Sequence, residues 1–321
     1  MMVKIADALK SAKKIAIFTH TNPDGDALGS SFAMQKVLKS IGKDAAVYLE
    51  KDIPEHFSYL EGEYTIGDQD TKTDADTALV LDCANFERIG DLENACKSVP
   101  KILCVDHHFS GEDFGDLCLK EPDSAATAQI VYKLACLLTD NLSEKVCEAI
   151  YTGISTDTGH FKFSNVTEET LFVASKLVGR GINHRKITEI LYDTVKREKL
   201  IFLGKAAEEV KFFADGKGAI LVCPEEFIGQ YGLKYEEAEE LTNLPLKMEG
   251  VLASILVKDK DENSKRVSLR GKDFLDLSEI AEMFGGGGHK NAAAFVAKGD
   301  MDKILEDLMK VITEKIGDKN V

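Results

Sequence analysis

Three short apolar runs in the first third of the chain leave little freedom in how it folds. They are Ile15-Ala16-Ile17-Phe18, Ala78-Leu79-Val80-Leu81 and Ile102-Leu103-Cys104-Val105. Runs this short, with no alternating polar face, suit strands buried on both sides, as in a parallel sheet covered by helices. Helical patterns lie between them, over residues 26–41 with Gly42 as a C-cap and around 91–97, and residues 45–49 read as a further strand. The expected fold class is therefore α/β, with a mostly parallel sheet in the N-terminal half.

Each run stops at residues able to bind a cation. The first leads into His20-Thr21-Asn22-Pro23-Asp24-Gly25-Asp26, the second ends at Asp82 and the third at Asp106-His107-His108. In a parallel sheet these ends share one edge, where open α/β sheets bind ligands. Imidazole with carboxylates suits a borderline or hard divalent cation. Pro23 stiffens the first turn, and Gly25 is expected to supply an unusual backbone angle between two carboxylates. The simpler alternative for an aspartate ahead of a helix is an N-cap. Asp157 follows an apolar helix in the break Gly153-Ile154-Ser155-Thr156-Asp157-Thr158-Gly159 and by itself reads as a turn or capping residue.

Further helices are expected over residues 3–12, 124–138, 143–151, 167–181 and 184–194, the last capped by Asn183. Residues 195–213 read as a helical connector, which divides the chain into domains 1–194 and 214–321. The second is expected to be a smaller α+β domain. Its strands fall near 218–223, 250–257, 265–270 and 292–296, with a hairpin turn at 258–263 and helices at 277–283 and 301–315.

The formal charge of −15 speaks against a surface that tracks long nucleic acid, but leaves room for a short anionic substrate in one cleft. The seven cysteines form no CxxC pair, and most sit in apolar segments; they read as buried reduced thiols rather than a disulfide framework or zinc site. No apolar run is long enough to span a membrane and no signal-peptide pattern opens the chain, so the expectation is a cytoplasmic protein without a membrane partner.

The run Gly285-Gly286-Gly287-Gly288-His289 is not a nucleotide P-loop, because no Gly-Lys-Ser/Thr follows the glycines. It reads best as a phosphate cradle of exposed backbone N–H groups, with His289 as a side-chain donor. Arg270, on the neighbouring predicted strand, is the best candidate for a bidentate phosphate contact, the alternative being an ordinary strand-edge arginine. Lys272 and Lys290 are weaker candidates.

The motifs HTNPDGDALGS, VLDC, VDHH and GISTDTGHF, in that order, resemble those of the DHH phosphoesterase family, and GGGGHKNAA resembles the DHH-associated C-terminal domain. The resemblance covers almost the whole chain and is nearest to the NrnA-like branch of oligoribonucleases and pAp phosphatases, pAp being adenosine 3′,5′-bisphosphate. It implies a dinuclear site, usually of two Mn²⁺, with Mg²⁺ or Co²⁺ as substitutes. His20 and Asp24 would bind the first ion, Asp26, His107 and Asp157 the second, and Asp82 would bridge them. Asp106 would orient a histidine, and His108 would face the phosphate as hydrogen-bond donor or general acid. Gly287, Gly288 and His289 would contact the substrate's other phosphate or nucleotide, with substrate between the domains. The reaction implied is in-line attack of a metal-bridging hydroxide on short oligoribonucleotides, giving mononucleotides, and on pAp, giving AMP. Short RNA and small nucleotides are then the partners, with long duplexes excluded and a homodimer left open. The alternatives are a phosphodiesterase for pApA or cyclic di-AMP and, from a different class, a nucleotide-binding sensor without catalysis. Two positions depart from the family pattern: His160 stands where many relatives have arginine, and Ala294 where many have glycine. His56 and His184 match no motif and read as surface or capping residues. Phe161 and Phe163 read as core.

Overall fold

The computed structural model describes residues 1–109, 111–272 and 275–317 and divides into two compact units, Met1–Thr194 and Val195–Val321. In the first unit the chain runs α1 (Met2–Ser11), β1 (Lys14–Phe18), α2 (Gly25–Ser40), β2 (Asp44–Leu49), β3 (Tyr64–Ile66), β4 (Thr77–Leu81), α3 (Glu93–Lys97), β5 (Ile102–Asp106), β6 (Leu117–Lys120), α4 (Thr127–Leu138), α5 (Glu144–Asp157), α6 (Glu168–Val178) and α7 (His184–Thr188). The strands form one sheet in the order β3-β2-β1-β4-β5-β6, and every neighbouring pair is parallel.

The apolar runs are the central strands, and their residues serve two cores in alternation. Ile15, Ile17, Leu79, Leu81, Leu103 and Val105 pack with α1, α2, α4 and α5 on one face. Ala16, Phe18, Ala78, Val80 and Cys104 pack on the other with Ile89, Leu92 and Cys96. This period of two with both faces covered is why the runs carry no polar side. The order changes direction between β1 and β4, so the turns after those strands open a crevice at the sheet's carboxyl edge.

Several local expectations are corrected. The edge strands β3 and β6 were not anticipated; both are short and only partly buried, so neither has a continuous apolar run. Helix α5 continues through Asp157, past the expected end at residue 151. The helix predicted over 184–194 is α-helical only through Thr188 and continues as a π-helix over Glu189–Asp193. Phe161 is partly buried against the core, whereas Phe163 is largely exposed and is not a core residue.

Gly25 does not supply an unusual backbone angle, since its φ is not among the positive values; it is the first residue of α2. Its reason is space. A Cβ there would lie 2.4 Å from the Thr156 side chain, and one at Gly29 would lie 2.4 Å from the Ala149 carbonyl oxygen. The absence of side chains lets α2 and α5 approach closely, which sets Asp157 at the end of α5 beside Asp26 at the start of α2. Gly25→Ala is expected to destabilise the protein by about 1–3 kcal/mol through overpacking against a stiff β-branched neighbour, and urea unfolding measures this.

The second unit begins with α8 (Arg197–Glu208), β7 (Lys211–Phe213), β8 (Gly218–Cys223) and α9 (Glu225–Gly229). It continues through β9 (Ala253–Asp261), β10 (Ser264–Gly271), α10 (Leu277–Met283), β11 (Gly287–His289), β12 (Ala292–Lys298) and α11 (Met301–Gly317). Its sheet has the order β11-β12-β10-β9-β8-β7 and is antiparallel except for the β8–β9 pair. The stretch expected as a connector, 195–213, packs within this unit. Phe202 and Ala206 of α8 are fully buried against Ala219, Leu221 and Leu256, and residues 211–213 form the edge strand β7. The opposite face is closed by α10 and by Leu305, Leu308, Ile312 and Ile316 of α11, which share one helical stripe. Strand β9 runs on to Asp261, so the hairpin turn is tighter than expected.

Candidate metal centre

The turns after β1, β4 and β5 bring their polar residues together with the end of α5. Three overlapping groups of donor atoms, each within 4.8 Å of one another, occur among the described residues: His20, Asp24 and Asp82; Asp26, His107 and Asp157; and Asp82, His107 and His108. Asp82 belongs to two of these groups and lies between His20 and His107. Its Oδ2 is 3.6 Å from His20 Nε2, and its Oδ1 is 3.7 Å from His107 Nε2. The same His107 nitrogen is 3.2 Å from Asp157 Oδ2 and 4.0 Å from Asp26 Oδ2.

Each side chain is held from behind. His20 Nδ1 donates to the Thr21 carbonyl at 2.7 Å and His107 Nδ1 to the Ser124 carbonyl at 3.2 Å, so both rings turn Nε2 toward the carboxylates. Asp26, fully buried, accepts from the Thr127 N–H at 2.7 Å and the Ala128 N–H at 2.8 Å. These are the first amides of α4, whose own N-cap residue, Ala126, offers no side-chain acceptor. Asp24 is the N-cap of α2 as well as a member of the cluster. Its Oδ1 accepts from the amides of Asp26 and Ala27, so the capping role is present and leaves Oδ2 outside those bonds. Thr127 Oγ1 donates to Asp82 Oδ1 at 2.9 Å. Asp82 has φ +58°, a left-handed conformation that aspartate tolerates better than most residues and that re-aims its carboxylate at the strand end. His108 turns differently: Nδ1 is 2.7 Å from the buried Asp106 Oδ1, leaving Nε2 for another partner.

This arrangement is electrostatically unsatisfied without a cation. Burial, then the Asp82 and Asp157 carboxylates, push the Asp26 pKa well above the usual range. Burial, then Asp82 and Asp24, push Asp157 up to about 7. At Asp82 burial acts upward, but the His20 hydrogen bond and the His107 and His108 charges outweigh it and lower the pKa. For His20, burial is outweighed by the bonds to Asp82 and Thr21, which raise its pKa. The Asp106 hydrogen bond likewise raises His108. Carboxylates that repel one another, faced by imidazoles with outward Nε2 atoms, fit divalent cations by donor chemistry and by charge.

In the second unit, the glycine-rich run is not a loop cradle throughout. Gly287–His289 is the edge strand β11, antiparallel to β12, with Gly288 at φ +151°. A Cβ on Gly288 would lie 2.5 Å from the Ala292 carbonyl oxygen, so glycine is required by the close approach of β12. His289 and Arg270 both lie opposite Ala292 in register, which places them on one face with a small residue between. Arg270 is partly buried and donates to the Leu269 carbonyl at 3.0 Å; His289 is exposed. Ala294 faces Gly287 in the same ladder. His160 has φ +59°, lies 3.2 Å from Ser155 Oγ through Nδ1 and packs on the Tyr192 ring. His56 and His184 are exposed.

Sequence reasoning missed Thr127, which serves both Asp26 and Asp82. The available signal was a small hydroxyl residue at the start of an otherwise apolar helix, the position where backbone N–H groups are free.

Fold and donor set together define a metal-dependent hydrolase assembled at the switch point of a parallel sheet. Residues 14–154 match the model of the DHH family, N-terminal domain, and residues 215–317 that of the DHHA1 domain. The chain is 32% identical over 320 residues to the bifunctional oligoribonuclease and PAP phosphatase NrnA of Thermus thermophilus, covering 97% of this chain and 93% of that protein. It is 27% identical over 310 residues to the protein of the same name from Bacillus subtilis, covering 94% and 95%. Among solved structures, an exopolyphosphatase-related protein from Bacteroides fragilis superposes with a TM-score of 0.87 at 26% identity, covering 98% of this chain and 96% of that one. The chain belongs to the DHH family of phosphoesterases.

Proposed function

We propose that the protein hydrolyses short oligoribonucleotides to mononucleotides and pAp to AMP, at a centre that holds two Mn²⁺. The observation that carries this reading is the set of three overlapping donor groups, two of which share Asp82 and two of which share His107. It is supported by the names of relatives aligned over nearly their whole length. His20 and Asp24 would hold one ion, Asp26, His107 and Asp157 the other, and Asp82 both. When bound, the pair would supply a hydroxide nucleophile at neutral pH and neutralise charge developing at phosphorus.

The remaining work falls to side chains. Asp106 accepts from His108 Nδ1–H, which fixes the ring and favours its protonated form. His108 Nε2–H then donates to the departing ribose oxygen as general acid. Arg270 would pair with a non-scissile phosphate, and Gly287, Gly288 and His289 would flank it, with backbone N–H groups and an imidazole as donors. These four residues are also where a domain of net-negative protein can present local positive charge to an anion.

The test is turnover. Purified protein with Mn²⁺ is expected to release mononucleotides from a 5′-phosphorylated diribonucleotide and AMP from pAp. Release of no product from either, with Mn²⁺, Mg²⁺ or Co²⁺, refutes the reading and favours a silent nucleotide binder. Faster hydrolysis of cyclic di-AMP than of both would reassign the substrate. His108→Gln is expected to slow hydrolysis of ribose esters about 10²–10⁴-fold and p-nitrophenyl phosphate esters much less, because the latter need no proton on the leaving oxygen. Equal loss on both substrates would exclude the acid role.

A further inference from the structure

Four of the seven cysteines lie on the face of the first sheet opposite α2 and α5. Cys83, Cys96 and Cys104 are buried there, with Cys118 partly buried against them. Two of them are direct neighbours. Cys104 of β5 is in register with Cys118 of β6, and in a parallel pair residues in register point to the same face. Parallel strands stand about 4.8 Å apart, inside the Cα separation that a disulfide spans.

The two sulfurs are not equivalent. Cys104 is almost fully buried, whereas Cys118 reaches solvent. The Cys104 sulfur beside it lowers the Cys118 pKa, with help from the Phe114 N–H and against burial and the Asp113 and Asp106 carboxylates; Cys118 Sγ itself donates to Asp113 Oδ1 at 3.9 Å. Cys118 is thus the accessible sulfur of a pair whose second thiol lies beneath it, the arrangement of an attacking and a resolving cysteine. The strand carrying Cys104 is also the one that ends in Asp106-His107-His108.

We propose that Cys104 and Cys118 form an oxidisable thiol pair that closes to a disulfide with hydroperoxides and thereby weakens the metal centre at the end of β5. The Cys118 thiolate attacks one peroxide oxygen, the O–O bond breaks, and the departing oxygen leaves as hydroxide and takes up a proton to become water. The Cys118 sulfenic acid is then attacked by the Cys104 sulfur. An S–S bond forms, the sulfenic hydroxyl leaves, and the Cys104 proton completes a second water. Two electrons pass from the two sulfurs to the peroxide. A disulfide prefers its Cα atoms about 5.5–6 Å apart, so closure pushes the strands apart by about 1 Å three residues ahead of His107. Such a bond is strained and returns readily to thiols under dithiothreitol.

The experiment treats the Mn²⁺-loaded protein with hydrogen peroxide, alkylates remaining thiols, and maps peptides by mass spectrometry. Mn²⁺ affinity is read in parallel from thermal-shift titrations. The expected result is a Cys104–Cys118 linked peptide that forms before Cys136, the exposed cysteine, is oxidised. Mn²⁺ affinity should fall about tenfold on linkage and recover with dithiothreitol, as misplacing a binding group by about 1 Å implies. Cys118→Ser should bind Mn²⁺ normally and lose the response. Oxidation of Cys136 without the linked pair overturns the proposal, and so does linkage with unchanged affinity. Neither readout uses a nucleotide, so failure here is distinct from failure of the proposed activity.

Discussion

Asp82→Asn is expected to lower kcat/KM on a diribonucleotide by about a thousandfold or more while the protein melts close to the wild type. Asp82 is shared by the triad with His20 and Asp24 and by the group containing His107. An asparagine can keep one oxygen on Thr127 Oγ1, which donates to Asp82 Oδ1 at 2.9 Å. Its NH₂ then takes the place of Oδ2, which stands 3.6 Å from His20 Nε2. A donor is thereby set where a cation needs an acceptor, and one negative charge is removed from both sub-sites. The backbone is not the cost, because asparagine accommodates a φ of +58° about as well as aspartate does. Alanine would add strain to the loss of charge and confound the two. Kinetics with saturating Mn²⁺ and a circular-dichroism melt decide the matter; activity within tenfold of wild type refutes a shared role for Asp82.

Stripping divalent cations should abolish turnover and leave a protein whose stability falls as pH rises from about 4 to 7. The sign follows from the carboxylates. Asp157 is pushed up to about 7 in the folded chain by burial and by Asp82 and Asp24, and Asp26 is raised for the same kind of reason. The folded state therefore holds protons that the unfolded state has released across this interval, and stability is lost as those protons leave. His20 and His108, both raised, add stability below their unfolded pKa that is lost at higher pH, in the same direction. Asp82, lowered, stabilises above the ordinary carboxylate pKa and loses that contribution only in stronger acid. Cations bind the deprotonated cluster, so the rise in Tm produced by Mn²⁺ should grow by several degrees between pH 5 and 8. A pH-independent Mn²⁺ shift would show that ions bind elsewhere.

What could be read from the sequence depended on how local each determinant is. The central strands announced themselves because burial on both faces forbids polar residues, and the polar residues where they stop were visible for the same reason. Strands β3 and β6 carry no such signature, since an edge position tolerates mixed residues. Asp157 was found, but its helix was ended too early: nothing local says that a polar Ser-Thr-Asp stretch continues an apolar helix when its polar face looks into a site. Gly25 was singled out for the wrong property. Its backbone is ordinary, and its necessity comes from Thr156, which is distant in sequence and visible only after α2 and α5 have packed. The glycine-rich run lacks the residues of a P-loop, and its pairing with β12 depends on a partner strand that composition does not reveal.

Among the described residues, the donors of these groups, from His20 to Asp157, come from the first of the two units. Synthesis proceeds from the N-terminus, so the turns after β1 and β4 emerge first with Asp24, Asp26 and Asp82, and β5 only afterwards brings His107 and His108 beside Asp82. Only when the end of α5 has left the ribosome does this set of donors become complete. Loading with metal can then accompany the folding of the nascent first half, before the second sheet exists. Without cations, this half of the chain would carry the mutually repelling carboxylates of Asp26, Asp82 and Asp157 unaided.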